Sequence, residues 1–176
     1  MDLNDILSAR EERWNLKRAY AKDEKRCVVS LTLRMPSELR LSQDGKKALS
    51  KGREEVFSLL KNAFECVLLK GEFTSSDGPY ALFTVLGEGR EIKKLLIRFE
   101  EESRFGDLID ADVMTEVGEE ISRLLVGGSA RSCLVCGEKD ARVCAQNRAH
   151  TREITVQTIG DILKKRLYEG EKSCAG

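Results

Sequence analysis

Between residues 118 and 152 the chain shows no sustained hydrophobic period. Gly, Cys, Arg and Ser dominate, with neither the recurrence of an amphipathic helix nor the alternation of a strand. A stretch of this length has too little apolar surface to order itself by burial, so something else must hold it. The segment carries material for that: Cys133, Cys136, Cys144 and His150, spaced C-x2-C-x7-C-x5-H. Three thiolates and an imidazole are the donor set of a Cys3His zinc site, and four protein ligands make such a site structural, because no position stays open for substrate. His150 is the chain's only histidine. Two other readings stay open. A redox C-x-x-C normally opens a helix inside a βαβ unit, a context missing here. The four residues can also be loop or buried side chains with no ligand.

On either side of this segment the patterns are regular. Asn4 to Ala21 reads as a helix with a partial apolar stripe at Ile6, Leu7, Trp14 and Leu16 and a charged face. Arg26–Arg34 alternates, placing Cys27, Val29, Leu31 and Leu33 on one side, which predicts a strand buried on one face. Pro36 stops it. Ser42 to Phe64 is the clearest helix, with Ser42 or Asp44 as its cap. Cys66–Phe73 and Tyr80–Leu86 predict a hairpin joined by a five-residue turn, Ser75–Pro79. Lys94–Glu100 and Asp107–Met114 predict two further strands, and Thr155–Tyr168 a last helix, with a frayed tail from Glu169. The expected class is α+β, with a mixed or antiparallel sheet, flanking helices and a Cys/His-rich C-terminal segment. At 176 residues, one domain spanning 1–176 is expected.

Thirty Lys plus Arg balance thirty Asp plus Glu, so no basic excess points to nucleic acid. The N-terminus is charged from Asp2 and lacks a signal-peptide core, and no apolar run approaches a membrane span. A cytoplasmic location is expected. The six cysteines, Cys174 included, are then thiols or metal ligands rather than a disulfide framework.

A second constellation is Asp110–Ala111–Asp112. The two-residue period of a strand puts both carboxylates on one face, where they repel each other. A divalent cation removes that cost, and oxygen donors at this spacing suit Mg²⁺ shared with substrate phosphates. A hairpin pairing of Lys94–Glu100 with Asp107–Met114 would bring Glu100 near as a third carboxylate. The plainer alternative is a solvated strand face. Arg40, Lys46, Lys47, Arg123 and Arg131 sit beside turns, where they can meet phosphates or be ordinary surface charges. There is no G-x-G-x-x-G, P-loop lysine motif or local Ser/His/Asp signature.

These motifs in order resemble one family. Gly106–Asp107–Leu108–Ile109–Asp110–Ala111–Asp112–Val113 is similar to its G-R-L-x-D-I-D-V stretch, Ile121–Ser122–Arg123 to L/I-S-R, Arg131–Ser132–Cys133–Leu134–Val135–Cys136 to R-x-C-L-x-C, and Val143–Cys144–Ala145 with His150 to V-C-A-R…H. Ser8–Ala9–Arg10–Glu11–Glu12–Arg13 matches S-R-[DE]-E-R with one residue inserted, Val29–Thr32 matches V-S-F-T, Pro36–Ser42 fits P-G-P-x-K-x-S with Arg40 at the Lys position, and Gly78–Pro79 fits a family G-P. The family is the apo-citrate lyase phosphoribosyl-dephospho-CoA transferases. Ser103–Arg104–Phe105–Gly106–Asp107 stands where it usually has H-P-L-G-R. The resemblance implies a nucleotidyltransferase-like fold and an enzyme of nucleotidyltransferase type. That enzyme moves the phosphoribosyl-dephospho-CoA group from 2'-(5''-triphosphoribosyl)-3'-dephospho-CoA to a serine of the citrate lyase acyl-carrier (gamma) subunit, releasing pyrophosphate. Related malonate decarboxylase transferases carry a D-x-D in the metal-binding role. By resemblance Asp110 and Asp112 hold Mg²⁺, Glu100 is a third ligand or base, and Arg40, Lys46, Arg123 and Arg131 contact phosphates. The alternative is a non-catalytic, zinc-stabilised module that docks on the lyase or the carrier.

Overall fold

The computed structural model describes residues 3–138 and 140–169. The expected frayed tail beyond Glu169, and Cys174 with it, lie outside the described residues. Four strands, β1 (Cys27–Leu33), β2 (Cys66–Ser75), β3 (Gly78–Leu86) and β4 (Ile109–Met114), form one antiparallel sheet in the order β2-β3-β1-β4. Six α-helices accompany it among the described residues, α1 (Leu3–Glu24), α2 (Ser37–Arg40), α3 (Gln43–Ala63), α4 (Gly89–Glu102), α5 (Ala141–Gln146) and α6 (Arg152–Tyr168), with two single 3-10 turns at Gly106–Leu108 and Leu124–Val126. The α+β class with an antiparallel sheet and flanking helices is therefore as expected.

The two faces of the sheet carry separate cores. Alternate residues Val29, Leu31, Phe83, Ile109, Ala111 and Val113 meet Leu49, Leu60, Ile92, Leu96 and Leu163 from α3, α4 and α6. On the other face Val28, Tyr80, Leu82 and Met114 meet Ala21, Trp14, Leu16 and Tyr20 of α1. The expectation that β1 buries only one face is corrected. Val28 and Ser30 are as buried as Val29, because α1 lies over them. The buried stripe of α1 matches the expected one only in part: Trp14 and Leu16 pack against the sheet, but Leu7 is exposed, whereas Ala9, Lys17 and Ala21 are buried and Arg13 is partly so. Two cations on a sheet-facing stripe leave little hydrophobic signal to read.

The largest correction concerns residues 94–100. They form no strand but the second half of α4. Leu95, Leu96 and Ile97 make a contiguous apolar run that reads equally well as either element. Ile92, Leu96 and Phe99 recur at helical spacing and are all buried, and that wider period decides it. Glu100 thus approaches β4 from a helix and lies under it rather than in the carboxylate cavity, and β4 pairs along its length with β1, Ser30 opposite Asp112 and Thr32 opposite Asp110, with a single further bridge from Met114 to Glu120. The other edge of β4 is closed at Val113 by the Ile121 N–H, which donates to its carbonyl at 2.9 Å, and at Ala111 by side chains. Lys93 Nζ donates to the carbonyl of Ala111 at 2.6 Å, and the Ala111 N–H donates to Glu100 Oε1 at 2.8 Å. Both side chains are buried and both edge groups are satisfied, as a sheet edge requires.

Two boundaries also move. The expected five-residue turn is a two-residue loop, Ser76–Asp77, with Ser75 paired to Gly78 at φ +119, a value glycine adopts readily. α6 begins at Arg152, where Thr151 Oγ accepts from the Ile154 N–H at 3.3 Å. Gly106 permits the tight passage from α4 to β4, because a Cβ there would lie 2.1 Å from the carbonyl oxygen of Phe99. Gly106→Ala is expected to cost about 1–3 kcal/mol in denaturant unfolding, since backbone cannot yield as a side-chain tip does. An unchanged midpoint would show the turn to be slack.

Candidate functional site

Asp110 and Asp112 point away from the α3/α4 core and toward α1, because Ile109, Ala111 and Val113 take the buried alternate positions. They line a cavity of about 470 Å³ together with Arg10, Arg13 and Lys17 of α1, Arg40 of α2, and Asp77 and Glu120. Partial burial and then the neighbouring Asp110 charge push the Asp112 carboxyl up to about 6, although 43% of its side chain stays open. Lys93 Nζ, 4.0 Å away, only partly offsets this repulsion. Two carboxylates held together against their charge are a donor set for a hard divalent cation.

In the same cavity lies a cluster of which sequence reasoning gave a role only to Arg40. Asp77, in the hairpin loop and 4% exposed, accepts from three arginines. Arg10 reaches both its oxygens, at 3.2 and 3.3 Å, Arg13 NH2 donates at 3.0 Å and Arg40 NH1 at 2.8 Å. Arg13 also lies over the Tyr80 ring, 5.2 Å from its centroid. The signals lay in the sequence apart: Arg10 and Arg13 in the Ser8–Arg13 stretch, with no role assigned to either, and Asp77 in an ordinary turn. Burial opposes ionisation of Asp77, but the hydrogen bonds from Arg10 and Arg13 overcome it and hold the carboxyl below the usual carboxylate range. The folded value lies below the unfolded one, so this stabilisation is complete at neutral pH and is lost as pH falls below about 4. Asp77→Asn is expected to lower the melting temperature at pH 7 and to flatten its decline between pH 5 and 3. An acid profile parallel to that of the parent would refute the assignment.

The expected phosphate contacts are distributed unequally. Arg40 lines the cavity. Arg131 does not stand free: it donates to the carbonyls of Ile109 at 2.7 Å and Gly106 at 2.8 Å, and meets Asp110 at 3.3 Å and Glu100 at 3.1 Å. Arg123 bridges Glu100 and Glu101 and holds the carbonyl of Ser129. Lys46 is exposed on α3, and Lys47 stacks on Tyr168 of α6, so neither lines this cavity. Glu100 lies 1% exposed beneath the strand, tied to Arg123, Arg131 and the Ala111 N–H. Through Arg131 it bears on Asp110.

Beside this site the Cys/His segment closes on itself. The ligand atoms of Cys133, Cys136, Cys144 and His150 all lie within 4.8 Å of one another. Cys133 Sγ is 3.5 Å from His150 Nε2, and Cys136 Sγ is 3.6 Å from Cys144 Sγ. The Cys133 thiol, despite desolvation, accepts backbone N–H groups of Cys136 and Val135 and is brought down to about 7, toward the thiolate a metal takes. The cluster can hold a metal such as zinc. It is anchored to the sheet at its start by Arg131, and Arg34 donates to the carbonyl of Ser132.

The fold and this site define a class: an antiparallel α+β protein whose edge strand presents a carboxylate pair to an arginine-lined cavity, with a Cys3His cluster alongside. The chain belongs to the apo-citrate lyase phosphoribosyl-dephospho-CoA transferase family, whose model matches residues 1–166. A probable apo-citrate lyase phosphoribosyl-dephospho-CoA transferase of Streptococcus pyogenes serotype M3 is 30% identical over 177 residues, covering 93% of this chain and 85% of the relative. The apo-citrate lyase phosphoribosyl-dephospho-CoA transferases of Citrobacter koseri and Escherichia coli O139:H28 are each 27% identical over 150 residues, 85% of this chain and 81% of theirs. No helix among the described residues is long and apolar enough to cross a membrane.

Proposed function

We propose that this chain transfers the phosphoribosyl-dephospho-CoA group from triphosphoribosyl-dephospho-CoA to a serine of the citrate lyase acyl-carrier subunit, as a nucleotidyltransferase-type enzyme. The observation that carries the reading is the meeting of Asp110 and Asp112 with a cationic wall in one cavity, in a chain of this family. The serine oxygen bonds to the α-phosphorus. The bond from that phosphorus to the bridging oxygen breaks, its electron pair leaves with pyrophosphate, and the serine proton passes to solvent. Asp110 and Asp112 are the residues that would hold Mg²⁺, which when bound neutralises phosphate charge as a Lewis acid. Lys93 and Glu100 fix the backbone between them at Ala111, and Arg131 orients Asp110. Arg40 faces the substrate phosphates from the opposite wall. Cys133, Cys136, Cys144 and His150 would hold a structural zinc, which keeps Arg131 in place.

A module that docks without chemistry would have no need to hold two carboxylates together against their repulsion. The test is to incubate the protein with apo carrier and the triphosphoribosyl precursor and weigh the carrier by mass spectrometry. The carrier is expected to gain the mass of the transferred group with Mg²⁺ present and to stay unshifted in a metal chelator. An unshifted carrier with precursor and Mg²⁺ both supplied would overturn the reading.

A further inference from the structure

The arginine cluster around Asp77 has a division of labour that the transfer reaction does not by itself specify. We propose that Arg10, Arg13 and Arg40 form the subsite for the leaving pyrophosphate, the β- and γ-phosphates of the donor, and that Asp77 is a positioning residue that sets their geometry. The proposal rests on the transferase reading and assigns to it residues that line the same cavity as the metal ligands, with Asp77 on the β2–β3 loop and the carboxylate pair on β4, beyond β1 in the strand order.

The cavity divides its charge. Among the lining residues, Arg10, Arg13 and Arg40 against Asp77 leave a pole of two positive charges, Lys17 is paired with Glu120 at 2.5 Å, and Asp110 and Asp112 form the acidic pole, partly offset from behind by Arg131 at 3.3 Å and Lys93 at 4.0 Å. A polyphosphate that chelates a divalent cation at one end and carries bare anionic oxygens at the other matches that layout. Guanidinium forks suit it because each presents several coplanar N–H groups to phosphate oxygens. Asp77 takes four N–H groups of the three forks, so most of their donors have no side-chain acceptor among the described residues. Arg40 Nε is buried and has no hydrogen-bond partner among the described residues. That atom is closed to solvent as it stands, and leaving a buried donor unpaired is costly, so the Arg40 fork is held there by its other contacts.

The cluster is also held as a preformed site is. Arg13 and Arg40 have only 14% and 17% of their side chains exposed. Gly78 makes room for Arg40, since a Cβ there would lie 3.2 Å from its side chain. Ser76 Oγ donates to the carbonyl of Asp5 at 2.7 Å, tying the hairpin loop to α1. The Arg13 and Arg40 forks, fixed in advance, lose little entropy on meeting phosphate, whereas Arg10, with 55% of its side chain exposed, closes over the ligand from the rim.

Binding of inorganic pyrophosphate to the purified full chain, measured by titration calorimetry without divalent metal, tests this apart from any transfer. Arg13→Gln and Arg40→Gln are each expected to weaken binding at least about tenfold, as loss of one charge-assisted contact predicts. Arg98→Gln, which removes a charge lining a separate cavity, is expected to leave it unchanged. Asp77→Asn is the deciding variant. It adds one unit of positive charge, so a merely coulombic wall would bind pyrophosphate more tightly, whereas a positioned one binds it more weakly. Arg40→Lys serves where Asp77→Asn unfolds: it keeps the charge, loses the fork, and is expected to bind as weakly as Arg40→Gln. Tighter binding in Asp77→Asn, or unchanged binding in both Arg13→Gln and Arg40→Gln, overturns the subsite. If the carrier mass never shifts yet pyrophosphate binding follows the arginines, the transfer reading fails and the subsite stands.

Discussion

Asp110→Asn and Asp112→Asn are each expected to lower transfer to the carrier by about two orders of magnitude or more, a barrier increase of ~3 kcal/mol or more. Asn keeps the shape and the hydrogen-bonding reach of the side chain but removes the charge that a hard cation needs. Both positions are half-exposed and face the cavity, so no packing is lost. The substitution also relieves the repulsion that raises the Asp112 carboxyl, so the melting temperature should hold steady or rise slightly. Activity and stability therefore move apart, which a structural role would not produce. Transfer by both variants at the parental rate would remove the metal role from this pair.

The second large effect is expected at the Cys/His cluster. Purified protein should carry about one zinc per chain, and either strong chelation or Cys133→Ser should release it. Structural zinc contributes folding free energy directly, on the order of 10 kcal/mol in isolated fingers. Here it acts on one segment docked to a sheet with its own core, so a smaller part reaches the global transition. A loss of several kcal/mol corresponds to a fall of about 10 °C in a chain of this size. The local effect should be sharper: proteolytic cleavage should appear first within 121–150, while far-ultraviolet dichroism of the remainder persists. Transfer should fall as well, because Arg131 opens this segment and holds Asp110 from it. Zinc-free protein with an unchanged melting temperature would sink the assignment.

How far the sequence disclosed this arrangement depended on whether the signal was local. The position of strand β1, the cap of α3 at Ser42 and the cysteine spacing follow from short-range patterns, and each lies where the pattern placed it, although β1 is buried on both faces. The carboxylate pair was legible for the same reason, since a strand's period alone puts both on one face. The helix over Lys94–Glu100 was obscured by three adjacent apolar residues whose sidedness shows only over a longer window. The burial stripe of α1 was obscured by its chemistry, because part of what it turns toward the sheet is Arg13 and Lys17. Asp77 was the least legible residue. Nothing about an aspartate in a Ser-Ser-Asp-Gly turn indicates three arginine partners, two of them more than sixty residues away.

That separation has a consequence for how the protein assembles. The contacts of Asp77 with Arg10, Arg13 and Arg40 span 67, 64 and 37 residues. A hairpin can close within microseconds, but these contacts wait for α1, α2 and the β2–β3 loop to arrive at one place, at the entropic expense of long loops. The arginine pole should therefore be among the last features to form and the first to open when the amino-terminal helix lifts from the sheet. Amide exchange in the first turns of α1 should report that opening at a free energy well below global unfolding.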